Sequence, residues 1–449
     1  MALFPACALI GALYLADLSG MGLVSKDEPR YADIGRAMAH TGDWITPRLW
    51  GEPWFEKPPL LYWLIGAGFK AGLGTELAPR LPVALFSLAF LAVFWFRVRR
   101  IWDERTALYS TGMLATTAGW LALSHVAITD VPVSALFTLA VLCALEGRQT
   151  VAAASLGLAV LAKSLPPLIL FLPVLALDYR DWRGWLRPAP LLVFAAIAVP
   201  WHVVGFARNG YDLIRILFVE HQLGRFTSPD LQHVQKWYFY LPVGLLLLFP
   251  WFPLLPFAAR DWRDRRTGTL LAVVLFGMVF FSSALNKLPS YILPLVPAAC
   301  ILMGIGLARA NRPKALLVLP AALLGILPFA RAVVPVAIGS RLRAAPLPWN
   351  ELAAGLGIAT ALGISLLLLP KKGLFGAVFA LVGGAFLWFQ FAVFPAIDQT
   401  ASARPVWRQQ RPQCAPDRDR GLQYGLDYYA GRALPLCEVL DQTPAPVVR

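Results

Sequence analysis

The chain has 449 residues, of which 58% are hydrophobic and 15% charged, with a formal net charge of +14 and a mean hydropathy of +0.61. Apolar runs of roughly 20 residues recur along most of its length, which excludes an ordinary soluble domain. The runs are continuous rather than alternating, so the fold class is an all-α polytopic membrane protein and not a barrel.

About 13 transmembrane helices are predicted, at 2–18, 79–96, 107–124, 131–146, 150–163, 164–179, 188–206, 241–259, 267–285, 291–307, 315–337, 350–369 and 373–395. The first run lacks a basic n-region and a small-residue cleavage site, so it reads as a span and not a cleavable signal. Short links between alternate spans carry 17 Lys and Arg, in "RVRRIWDER", Arg148, "RDWRGWLR", "RDWRDRR", "RANRPK" and the pair Lys371 and Lys372. Short basic loops stay inside, which puts the N-terminus in the cytoplasm and the C-terminal tail outside. The expected division is a membrane domain over 1–395, with a first outer loop at 19–78 containing amphipathic helices, and a small outer domain over 396–449.

The positive charge reads as inner-loop anchoring against anionic lipid, or as attraction for phosphorylated substrates. Nucleic acid is not an expected partner, because no single basic stripe exists. Cys7, Cys143 and Cys300 fall in spans and read as small hydrophobes. Cys414 and Cys437 fall in the exported tail, where oxidising conditions favour a disulfide.

The outer stretch "SKDEPRYADIGRAMAHTGDWITP" (25–47) reads as a helix lying at the membrane surface. Glu28 with Pro29 resembles an N-cap followed by proline at the first helical position, and Gly42 a stop. Tyr31, Ile34 and Met38 recur at helical spacing. Asp27 and Glu28 either complement the helix dipole or place a carboxylate beside Arg30 as a base or cation ligand. "WGEPWFEKPPLLYW" (50–63) is either an interfacial aromatic belt with a snorkelling lysine, or a site where aromatics meet lipid or sugar while Lys57 neutralises a phosphate. Asp130 at a span's outer end is a helix cap or a site group, and a lone histidine such as His221 is more often structural than a ligand.

Jointly these residues say more. Acids at 27, 56 and 130 and cations at 30, 57, 163, 225 and 287 converge on one side of a protein that otherwise keeps charge out of its membrane portion. Such groups suit transfer chemistry on a lipid-linked phosphate, with cations stabilising the leaving group and a carboxylate handling the acceptor or a metal.

The blocks "DEPRYADIGRAMAHTGDWITPRLWGEPWFEKPPLLYW", "RLP" (80–82), "AITDVP", "LAKSLPP", "EHQLGRF" and "NKLPSYILPLVP" resemble the aminoarabinose lipid A transferases and their protein-mannosyltransferase-like relatives in the GT-C superfamily. The resemblance implies a GT-C fold in the bacterial inner membrane, with the active site and C-terminus periplasmic. It implies an inverting glycosyltransferase that takes an aminoarabinose-like sugar from an undecaprenyl (polyprenyl) phosphate donor to lipid A or a related envelope acceptor, acting as a monomer. Asp27 matches the family's essential acid and Asp130 its second outer acid. Lys57, Arg30, Arg225, Tyr291, Lys163 and Lys287 match or neighbour the donor-phosphate contacts. The resemblance admits a divalent metal, Zn or Mg, with Glu56 and His221 as candidate ligands; spacing does not demand one, because no Cys/His ligand set exists.

Two features depart from the family. Ser164 follows Lys163 where glycine is common, and the tail is short, although "YGLDYYAGRALPLC" (424–437) still resembles the family's tail. The alternative within the class is a polyprenyl-phosphate-sugar transferase acting on protein or another glycan. From another class, a lipid-linked substrate transporter would also have many spans, but no internal repeat supports it.

Overall fold

The computed structural model of the protein describes residues 3–177, 182–224, 233–311, 313–340, 348–370, 373–416 and 419–437. Its described elements are helices apart from one two-residue hairpin. Among the described residues, seven helices are long and apolar enough to cross a membrane: Gly74–Ile101, Pro188–Asn209, Arg265–Ser283, Pro289–Ala308, Pro313–Gly339, Trp349–Leu368 and Leu374–Ala401. The other expected spans are shorter or broken. The span expected at 107–124 divides into α5 (Glu104–Ala115) and α6 (Ala118–Ser124). Thr116 Oγ1 donates to Gly112 O at 2.6 Å and Thr117 Oγ1 to Leu114 O at 3.0 Å, the local competition for backbone carbonyls by which threonine disturbs a helix. The span expected at 241–259 ends as a helix at Leu247 and continues as a 3₁₀ turn over Phe252–Phe257, because Pro250, Pro253 and Pro256 cannot donate to the helical ladder.

The outer loop is more buried than its amphipathic pattern suggests. After α1 (Leu3–Leu15), α2 spans Asp27–Thr41 and buries nine residues, including Glu28, Tyr31, Asp33, Ile34 and Met38. It packs against α3 (Leu60–Lys70) and a tail helix, Arg420–Ala430, and is thereby covered on faces that a surface-lying helix would leave open. Gly35 and Gly66 allow the α2–α3 crossing: a Cβ on Gly35 would lie 2.4 Å from Ile65, and one on Gly66 would lie 3.1 Å from the Gly35 carbonyl. Gly42 ends α2 as expected, at φ 74°, donating to Met38 O. Glu28 is not the N-cap; that position is Lys26, which makes no side-chain cap, and Glu28 turns into the protein.

The four helices α4 (Gly74–Ile101), α5, α7 (Asp130–Leu145) and α8 (Gln149–Lys163) supply much of the frame beneath the loop. Two fully buried indoles are satisfied in place: Trp120 Nε1 donates to Ser87 Oγ at 2.8 Å and Trp251 Nε1 to Thr116 Oγ1 at 3.0 Å, as a buried Trp usually does.

The boundary expected at 395 falls inside the helix Leu374–Ala401, which runs on through Pro395. The tail starts at Ser402, where an isolated bridge pairs it with Val24 of the outer loop. Arg404 then donates to Ser19 O at 2.7 Å and Gly20 O at 3.0 Å, and reaches Asp398. The expected Cys414–Cys437 disulfide is present. It closes around a small core of Ala403, Ala415, Leu426 and Leu434.

Candidate active site

The loop between α2 and α3 sets the first half of the site. Residues Arg48–Leu49 (β1) pair antiparallel with Glu52–Pro53 (β2), and the turn residues Trp50 and Gly51 sit at φ 51° and 92°. Positive φ at both turn positions matches the right-handed twist of a hairpin. The turn sends the chain back to Trp54 and Glu56, and Pro58 and Pro59 then lead into α3.

A continuous chain of charge follows. Asp27, the first residue of α2, pairs with Arg30 one turn on. Arg30 Nη1 donates to Glu56 Oε2 at 2.9 Å, and Lys57 Nζ donates to Glu56 Oε1 at 3.0 Å and to Glu56 O at 3.2 Å. Side-chain exposure falls inward, from 37% at Asp27 to 11% at Arg30 and 7% and 8% at Glu56 and Lys57. Burial lowers the Arg30 pKa, but Glu56 and then Asp27 outweigh it, so the guanidinium titrates above its ordinary range. The carboxylates thus hold a cation in a place that would otherwise neutralise or expel it.

A second pair stands opposite. Asp130 opens α7 and Lys163 closes α8, and the ammonium meets Asp130 Oδ1 at 2.5 Å. Lys163 also lies over the Tyr291 ring at 4.9 Å, within cation–π range. Ser164 reverses the chain at φ 62°, ψ −129°, a backbone conformation that suits glycine.

The two systems meet at one cavity. Lys57, Lys163 and Tyr291 share its wall with Asn286, and the remaining wall is Val133, Phe137, Pro166, Pro167, Leu170, Phe280, Phe281, Ala284 and Pro294. Two lysines thus line a largely apolar chamber, an arrangement suited to a phosphate carrying a hydrocarbon chain. Asp27 and Arg30 are not on that wall; they join it through Glu56.

Lys287 does not join it. Its Nζ donates to Gln235 O at 3.0 Å and to Ala284 O, and its backbone N–H to His233 O at 2.9 Å. The expected phosphate contact is therefore a fastener for the 233–235 segment, with its pKa lowered by burial. Arg225 and the side chain of His221 lie outside the described residues.

Of the two candidate metal ligands, Glu56 and His221, only Glu56 has a described side chain. Glu56 is flanked by Arg30 and Lys57, and among the described residues no three His, Cys, Asp or Glu side chains assemble as a ligand group.

Glu28 and Arg80 were not singled out by the motif reading as a pair, although both lie in its blocks. Arg80 donates to Glu28 Oε1 and Oε2 at 2.7 and 2.8 Å and to the carbonyls of Leu18, Met21 and Gly22. Glu28 accepts the N–H of Val24 and that of Ala127. One buried ion pair thereby joins the loop that carries Asp27 to the turn that carries Asp130. An arginine at the end of an apolar run was the available signal.

Comparison with known proteins bears on this geometry. Residues 56–204 match the family model described as dolichyl-phosphate-mannose-protein mannosyltransferase. The chain is 31% identical to an undecaprenyl phosphate-alpha-4-amino-4-deoxy-L-arabinose arabinosyl transferase of Pseudomonas aeruginosa, over 96% of this chain and 89% of the relative. It superimposes on the crystal structure of ArnT from Cupriavidus metallidurans bound to undecaprenyl phosphate with a TM-score of 0.79 at 26% identity, covering 98% of this chain and 86% of that one. Arabinosyltransferase EmbB from Mycobacterium smegmatis, at TM-score 0.52 and 11% identity over 96% of this chain and 43% of that one, shares the fold.

Proposed function

The chain belongs to the undecaprenyl phosphate-aminoarabinose arabinosyl transferase family, and from that membership we propose that it moves an aminoarabinose-like sugar from undecaprenyl phosphate to lipid A. It is a membrane glycosyltransferase that uses a lipid-phosphate sugar. The observation that carries the substrate reading is the placement of Lys57 and Lys163 on one largely apolar cavity.

The chemistry follows from charge. As the sugar's anomeric carbon leaves the donor, negative charge builds on the phosphate oxygen. Lys57 and Lys163 offset it, each charge-assisted contact contributing on the order of 2 kcal/mol, in a wall where water is scarce and electrostatics are strong. Each ammonium already rests against a carboxylate, Glu56 or Asp130, which stabilises it there before the phosphate arrives. The apolar wall receives the first prenyl units. The acceptor displaces the phosphate from the opposite face of the sugar in one step, which inverts the anomeric centre.

Asp27 is the acceptor-side acid in this reading, being the most exposed member of its chain. It takes the proton of a hydroxyl acceptor, or orients an acceptor phosphate that is already anionic. The enzyme sits in the inner membrane with its N-terminus cytoplasmic and its site and C-terminus periplasmic, as the seventeen inner-loop cations support.

The test is transfer by purified protein from radiolabelled polyprenyl-phosphate aminoarabinose, offered lipid A or a protein extract. Label in lipid A is expected; label only in protein would replace the acceptor assignment.

A further inference from the structure

The tail helix Arg420–Ala430 reaches the charged chain with one side chain. The Tyr424 ring lies 5.2 Å from the Arg30 guanidinium carbon, which lies 5.4 Å from the Trp54 ring. Tyr424 also packs on Trp50, the hairpin-turn residue, at 5.5 Å. Arg30 therefore carries an aromatic ring from the tail and another from the α2–α3 loop while it bridges Asp27 and Glu56.

We propose that Tyr424 is a positioning residue for sugar transfer, and that the disulfide-closed tail is a working wall of the site because it delivers this ring to Arg30. The inference rests on the reading that Asp27, Arg30, Glu56 and Lys57 form the site. A guanidinium has a planar fork of donors whose direction matters and aromatic faces on which it stacks well. With Tyr424 and Trp54 against it, the fork is confined to the plane that meets both carboxylates. Without Tyr424, the group gains rotational freedom and water, and the register between Asp27 and Glu56 loosens.

The tail does not depend on Tyr424 for its own attachment. Asp419 caps the helix through the N–H groups of Gly421 and Leu422. Tyr428 Oη donates to Thr75 O at 2.7 Å, and Tyr429 Oη donates to Glu76 Oε1 at 3.2 Å. Leu426 is buried in the tail's core. These fastenings bring the ring of Tyr424 to Arg30 from outside the membrane helices.

Four variants separate the outcomes, assayed in lipid nanodiscs with polyprenyl-phosphate aminoarabinose and lipid A. Tyr424→Ala is expected to lower kcat at least tenfold while donor KM stays within twofold, since the Lys57–Lys163 cavity is untouched. Tyr424→Phe keeps the ring and is expected within twofold of the parent on both constants. Leu426→Ala, which weakens the tail without removing the ring, is expected to lower Tm but hold kcat within threefold. A Tyr424→Ala enzyme with parental kcat, a rise in donor KM in place of the fall in kcat, or an equal loss in Leu426→Ala overturns the inference. Parental turnover by Asp27→Asn removes the site reading itself, whatever Tyr424 does.

Discussion

Arg80 grips both carboxylate oxygens of Glu28, and neither side chain is accessible to solvent. The pair is the knot between the α1–α2 loop, α4 and the turn before α7, because each partner also holds backbone groups of those segments. Arg80→Ala would leave Glu28 charged, buried and unpaired and three carbonyls without their donor. Removing one member of such a pair costs about 3–5 kcal/mol. The expected result is a large drop in thermal stability in detergent and little folded protein; a variant melting with the parent would show that the pair is dispensable.

Asp27 has a different signature. It is partly exposed and its partner Arg30 is held by Glu56 as well, so Asp27→Asn should fold normally. Loss of a general base or orienting carboxylate typically lowers rate by 10²–10⁴-fold. We expect transfer to fall by at least about a hundredfold with expression unchanged, read in the radiolabel assay; near-normal turnover would take Asp27 out of the chemistry.

The lysines divide by their contacts. Lys163→Met removes an ammonium from the cavity wall and should weaken donor use about thirtyfold in kcat/KM, the equivalent of about 2 kcal/mol. Lys287→Met removes only bonds to backbone carbonyls. It should lower stability and leave donor KM near the parental value. Equal effects of the two on KM would place Lys287 at the phosphate after all.

Ser164 occupies a glycine-like backbone conformation. Ser164→Gly should relieve strain of about 1 kcal/mol, raising Tm by a few degrees with donor KM unchanged. A fall in Tm would mean that the serine hydroxyl contributes more than the backbone loses.

The disulfide joins residues 23 apart in sequence, and closing a loop of that size stabilises by about 3 kcal/mol in the chain-entropy model. Cys414→Ser with Cys437→Ser should therefore make the tail the first segment cut in limited proteolysis, ahead of the membrane helices. Unchanged cleavage kinetics would assign the tail's stability to its non-covalent contacts, such as those with Ser19, Gly20, Thr75 and Glu76.

Sequence alone set the membrane class, the tail disulfide and the stop of α2 at Gly42. These depend on composition, spacing and local backbone preference, which a linear reading registers. The same reading named Asp27, Glu56, Lys57, Asp130 and Lys163, because ionised groups beside long apolar runs stand out, and Tyr291 through the family resemblance. It also placed Glu28 at a helix cap and Lys287 at a phosphate, since charge near the outer face looks alike whether it turns to a cavity or to a carbonyl. Only the tertiary structure decided those partners. Arg80 finds Glu28 across 52 residues and Tyr424 finds Arg30 across nearly the whole chain, and pairings at such separation are chosen by packing of helices against one another rather than by any local pattern. The burial of α2 beneath the tail follows from the same cause: what a segment does at the membrane boundary depends on which other segment covers it.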